Sequence, residues 1–127
     1  MSPATLSALS RPLVRLLAGL GIAADAMLFV VKAPAPVDAG LYAFALWLVL
    51  PWLVALLLAW RVRAPGLLAG TALAAAFEAL AFYVTFVAPR GSTAALIYAV
   101  KPLWQLGLIG AAVLVGTLVA RRRYRRT

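Results

Sequence analysis

The sequence has no cysteine and no histidine. Without cysteine there are no disulfides, no thiolate nucleophile and no thiolate-ligated metal. Without histidine the usual general base near neutral pH and the commonest metal ligand are both missing. Acids are almost absent as well: Asp25, Asp38 and Glu78 are the only three in 127 residues. An enzyme would have very little to work with. No catalytic residue, metal or cofactor is expected, and the chain is read as non-enzymatic.

What remains is apolar. Hydrophobic residues make up 66% of the chain, and the mean hydropathy is +1.04. A soluble domain is nearer half apolar, and a chain this short is one domain at most, with too little interior to hide the excess. The expected solvent is therefore a lipid bilayer. There every backbone polar group must be bonded within a helix or a closed barrel. The apolar residues run on without alternation, so helices are favoured over a barrel.

Four runs reach the roughly 20 residues that a bilayer core requires, at about 13–31, 41–60, 66–88 and 94–120. The first has a basic start, at Arg11 and Arg15, but Asp25 interrupts it; it is read as a retained helix rather than a cleaved signal. The breaks carry turn chemistry. "KAPAPVDAG" holds Pro34 and Pro36, "RVRAPG" places Pro65 in a first helical turn, and "APRGST" offers Ser92 or Thr93 as a helix cap. Short links predict four antiparallel helices in an up-down transmembrane bundle.

The net charge of +9 resembles a nucleic-acid signal until its placement is read. Arg121, Arg122, Arg123, Arg125 and Arg126 follow the last apolar run directly. That is the pattern of a cytoplasmic flank resting on anionic headgroups, so residues 121–127 are read as a basic tail and no nucleic-acid partner is expected. With four spans, Arg11, Arg15, Arg61, Arg63 and the tail arginines share one side, against Lys32 and Arg90 on the other. Positive charge lies on the cytoplasmic side, which predicts both termini inside. Trp60 and Tyr42 suit the inner and outer interfaces. The Ala-, Leu- and Arg-rich composition points to a GC-rich bacterium and its inner membrane.

Charge inside a bilayer is expensive and usually functional. Asp25, Glu78 and Lys101 all fall within the predicted spans. At 1.5 Å per residue they lie roughly 9, 15 and 11 Å below the outer boundary. Three helices thus place charge in one outer-half slab. Tyr98, Lys101 and Gln105 share one face of the fourth helix, Thr71, Glu78 and Thr85 one face of the third, and Gly21 and Asp25 one face of the first. Pro51 and Pro102 interrupt the second and fourth helices at similar depth, with Trp52 and Trp104 beside them as candidate pocket-lining residues. The predicted polar site is therefore Asp25, Glu78, Lys101, Gln105 and Tyr98. Lys101 is expected to neutralise a buried carboxylate. The readings left open are a purely structural lock, a working site, and a lysine that snorkels to the surface. Two carboxylates against one ammonium leave one negative charge, which a protonated acid or a bound cation would balance.

The stretch "FVAPRGSTAALIYAVKPLWQLGLIG", Phe86 to Gly110, resembles the last hairpin of small bacterial membrane proteins in which an "SSTAAL" turn leads into a proline-containing helix. The resemblance implies a hairpin there and carries no activity. Small-residue runs, Ala18 to Ala24, Ala69 to Ala76 and Gly107 to Gly116, permit close helix contact within one chain or between chains. The expected function is binding or translocation of an ion or small solute by a homo-oligomer. The alternative is an accessory, assembly or toxin-immunity protein that holds a larger membrane partner through its helix faces.

Overall fold

A computed structural model describes residues 3–32, 38–61, 64–87 and 94–127. Those residues form four helices and no strand. They are α1 (Pro3–Lys32), α2 (Ala39–Arg61), α3 (Leu67–Phe82, continued by a π-helical turn, Tyr83–Val87) and α4 (Ala94–Arg125). All four contain a stretch long and apolar enough to cross a membrane: Ala8–Lys32, Ala39–Arg61, Leu67–Val87 and Leu96–Arg125.

The boundaries differ from the apolar runs for physical reasons. Helix α1 starts about ten residues before the first run, because "PATLSALSR" is helical without being apolar and Pro3 suits a first turn. Helix α4 continues through the arginines to Arg125, so the basic segment is helical for most of its length. Pro65 does not open α3. It lies in a turn before Gly66, whose left-handed φ of 83° precedes the helix. A Cβ on Gly66 would also lie 2.1 Å from the Ala112 carbonyl oxygen, so backbone conformation and close approach both require glycine there. Asp38 caps α2 through its Oδ1, which accepts from Leu41 N at 2.9 Å. The expected Ser92 or Thr93 cap lies outside the described residues.

Helix α1 packs on α2 and α3, and α4 packs on α3 and α2. Helices α1 and α4 face each other diagonally, and their described backbones do not approach. Across the diagonal the side chains of Lys101 and Asp25 meet. Neighbouring helices are tied at both ends of the bundle: at one end Arg15 lies 5.1 Å over the Trp60 ring, and Gly116 packs on the Pro65 carbonyl. At the other, Phe29 meets Tyr42 at 5.9 Å, Phe86 meets Tyr98 at 5.4 Å, and Lys32 lies 5.7 Å over the Phe86 ring.

The core uses small residues for closeness. Ala18, Ala55, Ala59 and Ala74 are wholly buried beside Val14, Trp52, Leu67 and Ile109. A second cluster holds Leu48, Ala81 and Tyr98. Large apolar side chains meanwhile point outward on every helix, among them Leu20, Met27, Leu46, Leu57, Leu80, Leu103 and Leu114. Asp25, Thr71, Lys101 and Gln105 lie inside. This is the reverse of a water-soluble protein, in which charge is almost never fully buried.

Candidate functional site

The site is assembled from the backbone upward. Gly21 and Asp25 are one turn apart on α1, so they share a face. A Cβ at Gly21 would fall 2.2 Å from the Trp52 ring, so the missing side chain is what lets the indole of α2 lie flat on α1. From there Trp52 Nε1 donates to Asp25 Oδ2 at 3.1 Å. Trp52 follows Pro51, and both are buried.

Lys101 reaches across the diagonal from α4. Its Nζ donates to Asp25 Oδ1 at 2.7 Å and to Glu78 Oε1 and Oε2 at 2.8 and 2.6 Å. An ammonium has three hydrogens, and these three bonds account for them. The Lys101 side chain is 0% exposed, as is that of Asp25, whereas Glu78 retains 12%. Charge-assisted bonds of this length are the strong kind, and they tie together two helices whose backbones do not meet.

Two further α4 residues complete the cluster. The Tyr98 hydroxyl donates to Glu78 Oε1 at 3.1 Å, and its ring lies 4.6 Å from Lys101 Nζ, close enough for a cation–π contact. Gln105 Nε2 donates to Glu78 Oε2 at 2.9 Å and to the Ala74 carbonyl at 3.1 Å. Its Oε1 is buried and, alone among the described buried side-chain N and O atoms, has no hydrogen-bond partner. Glu78 therefore accepts four hydrogen bonds, and Asp25 accepts two.

Asp25, Glu78, Lys101, Gln105 and Tyr98 thus meet at one place, with Pro51, Pro102 and Trp52 buried beside them. Trp104 does not join them. It is 62% exposed, because it precedes Gln105 by one residue and is turned about 100° away around the helix. Thr71 is buried, but its hydroxyl donates to the Leu67 carbonyl of its own helix. Arg121, Arg122, Arg123, Arg125 and Arg126 are exposed, at the far end of α4. Two contacts were not anticipated from the sequence. Trp47 Nε1 donates to the Ala99 carbonyl at 2.8 Å, binding α2 to α4 one turn before Pro102, and the Ala74 carbonyl holds Gln105. The buried amide at Gln105 signalled a need for partners, but nothing marked Ala74 as one.

Chemically the cluster is a carboxylate pair gripped by one ammonium, with indole, phenol and amide donors around it. Counted as charged groups it carries one negative charge. Among the described residues no group of three or more His, Cys, Asp or Glu side chains is placed to hold a metal ion. No protein family, curated protein or solved structure matches the chain.

Proposed function

We propose that the chain is a multi-pass protein of the bacterial inner membrane. In this reading each hairpin runs antiparallel, both termini are cytoplasmic, and the buried Asp25–Lys101–Glu78 cluster binds an ion or small solute that a homo-oligomer translocates. The observation that carries this reading is the inside-out distribution: three charged side chains converge in the bundle while large apolar side chains cover its outside. Intramembrane charge is by default functional. The end-to-end contacts of Arg15 with Trp60 and Phe29 with Tyr42 support an antiparallel first hairpin, and those of Gly116 with Pro65 and Phe86 with Tyr98 support an antiparallel second one. The excess of arginine at the Arg15, Arg61 and Arg121 ends supports the orientation. Four helices with so tightly packed an interior enclose little volume, which favours a path between copies of the chain.

The test is reconstitution into vesicles of phosphatidylethanolamine and phosphatidylglycerol, with dyes reporting internal pH and sodium. An imposed ion gradient should dissipate faster with the parent protein than with Glu78→Gln or Lys101→Met, at equal incorporation. Equal leakage with and without protein removes translocation.

One observation favours the accessory reading: every hydrogen of Lys101 is already engaged, as a purely structural lock requires. Native mass measurement in lipid separates the two. A self-associated assembly supports translocation, and a one-to-one complex with a different membrane chain supports the accessory role.

A further inference from the structure

We infer that the ion taken by this cluster is a single proton, held between Asp25 and Glu78 beside Lys101 and exchanged at Glu78, which keeps some exposure next to the buried Gln105. This rests on reading the cluster as an ion site and adds which ion it is.

The first argument is proximity. Asp25 Oδ1 and Glu78 Oε2 lie 2.7 and 2.6 Å from the same nitrogen, so the two carboxylates flank one ammonium. Two carboxylates at one site repel each other, and one proton between them removes the repulsion. With that proton the pair carries one negative charge, Lys101 carries one positive charge, and the buried cluster is neutral. The titratable groups facing the pair are Lys101 and Tyr98 from α4. Helix α2 contributes Trp52, which does not titrate.

The second argument is space and sign. A sodium ion needs several oxygen ligands, and the carboxylate oxygens here are already occupied by N–H and O–H donors. Any metal cation on Glu78 would also sit against the Lys101 ammonium, which touches both Glu78 oxygens. A proton brings the same charge and needs no volume; on Glu78 it takes the place of one of four accepted bonds, and on Asp25, which accepts one bond at each oxygen, it finds a free position.

The third argument is the route. Asp25 and Lys101 are sealed, while Glu78 keeps 12% of its side chain exposed. The Gln105 amide is bonded to that same carboxylate, and its Oε1 is a buried acceptor with no donor. An unsatisfied buried acceptor is costly. A water molecule arriving at Glu78 with the proton supplies the missing donor. The step is balanced: a hydronium gives one proton to a Glu78 oxygen and leaves as water, and the reverse returns it.

Infrared spectroscopy of the intact protein in lipid vesicles tests this without mutation, because Glu78 is the chain's sole glutamate. Carboxyl-labelled glutamate shifts the bands of Glu78 among all carboxyl groups. Carboxyl-labelled aspartate in an Asp38→Asn background, which changes only the α2 cap, isolates Asp25. The expected result at neutral pH is one protonated carboxyl per chain, belonging to the Asp25–Glu78 pair and unaffected when potassium replaces sodium. Two ionised carboxylates, or a carboxylate band that shifts with sodium, would overturn the proton site. For the route, transfer to heavy water should exchange the carboxyl proton, and Gln105→Leu should slow that exchange about tenfold, as expected for loss of one hydrogen bond of about 1.4 kcal/mol at Glu78. An unchanged rate overturns the route. The protonation count is an equilibrium measurement. A protonated pair in vesicles that show no flux leaves this inference standing and removes translocation, whereas flux with an ionised pair does the reverse.

Discussion

At the scale of single residues, Lys101 and Gly21 control the site by opposite means, one through a long charged side chain and the other through having none. Removing one partner of a buried ion pair strands the other, at about 3–5 kcal/mol. Lys101→Met should therefore destabilise the bundle by about that amount in equilibrium unfolding from lipid or detergent. Adding Glu78→Gln to it should recover much of the loss, because a single carboxyl is left and can hold the proton alone. Recovery of both stability and function in the double variant would make the cluster a structural lock. Recovery of stability alone marks a working site. A Lys101→Met variant as stable as the parent would mean that the bonds at 2.6 to 2.8 Å contribute little. Gly21→Ala acts from the other side. The new methyl would lie 2.2 Å from the Trp52 ring, so the indole must move off α1 and its bond to Asp25 must lengthen. Overpacking of this kind costs about 1–3 kcal/mol. The same unfolding measurement, together with Trp52→Phe as a variant that lacks the indole N–H, separates the clash from the lost hydrogen bond.

At the scale of elements, α4 does the most. It carries three of the five cluster residues on one face, contacts both α2 and α3, and continues into a run of arginines without a break in the helix. The helical continuation spreads those arginines around the axis, so only some of them can face a lipid surface at once. Replacing Arg121, Arg122, Arg123, Arg125 and Arg126 with glutamine should weaken binding to phosphatidylglycerol vesicles on the order of fivefold for each arginine that contacts the surface. Co-sedimentation of a peptide spanning only the arginine segment would miss this geometry, so the full chain is the proper subject. If affinity for anionic and neutral vesicles stays equal before and after the change, the arginines serve a different partner. Helix α3 is the counterpart. Gly70 lets it approach α4 so closely that a Cβ there would sit 2.8 Å from the Ile109 backbone, and that approach sets how far Lys101 and Gln105 must reach to meet Glu78.

At the scale of the molecule, the helices make a ring in which α1 and α4 are diagonal. A simple sequential ring would place them side by side. The diagonal explains why the cluster needs a lysine: of its three charged residues only Lys101 has a stem long enough to cross from α4 to α1. The orientation proposed for this bundle puts Thr127 in the cytoplasm, so a reporter fused there that fluoresces only in the cytoplasm should be bright, and alkaline phosphatase at the same point should be inactive. The opposite pattern would invert the topology and place the exchange point at Glu78 on the inner side.

The sequence by itself determined the number and character of the helices, because apolar runs long enough to span a bilayer are written in composition and length alone. It also marked the residues of the cluster. Charge in an apolar run is costly wherever it lies, so Asp25, Glu78 and Lys101 stand out without any coordinates, and the spacing of Tyr98, Lys101 and Gln105 put them on one face. What it left open were matters of relative placement. Spacing along α4 turns Trp104 about 100° from Gln105, but only the packing shows that no neighbour covers that flank. Nothing local in Pro65 and Gly66 distinguished a first helical turn from a left-handed turn; the nearness of Ala112 in α4 decides it. Only the packing decided that α1 and α4 lie on the diagonal, that Gly21 makes room for Trp52, and that one lysine meets two acids. Each is a distance between segments far apart in the chain, and no such distance is encoded by the residues of either segment alone.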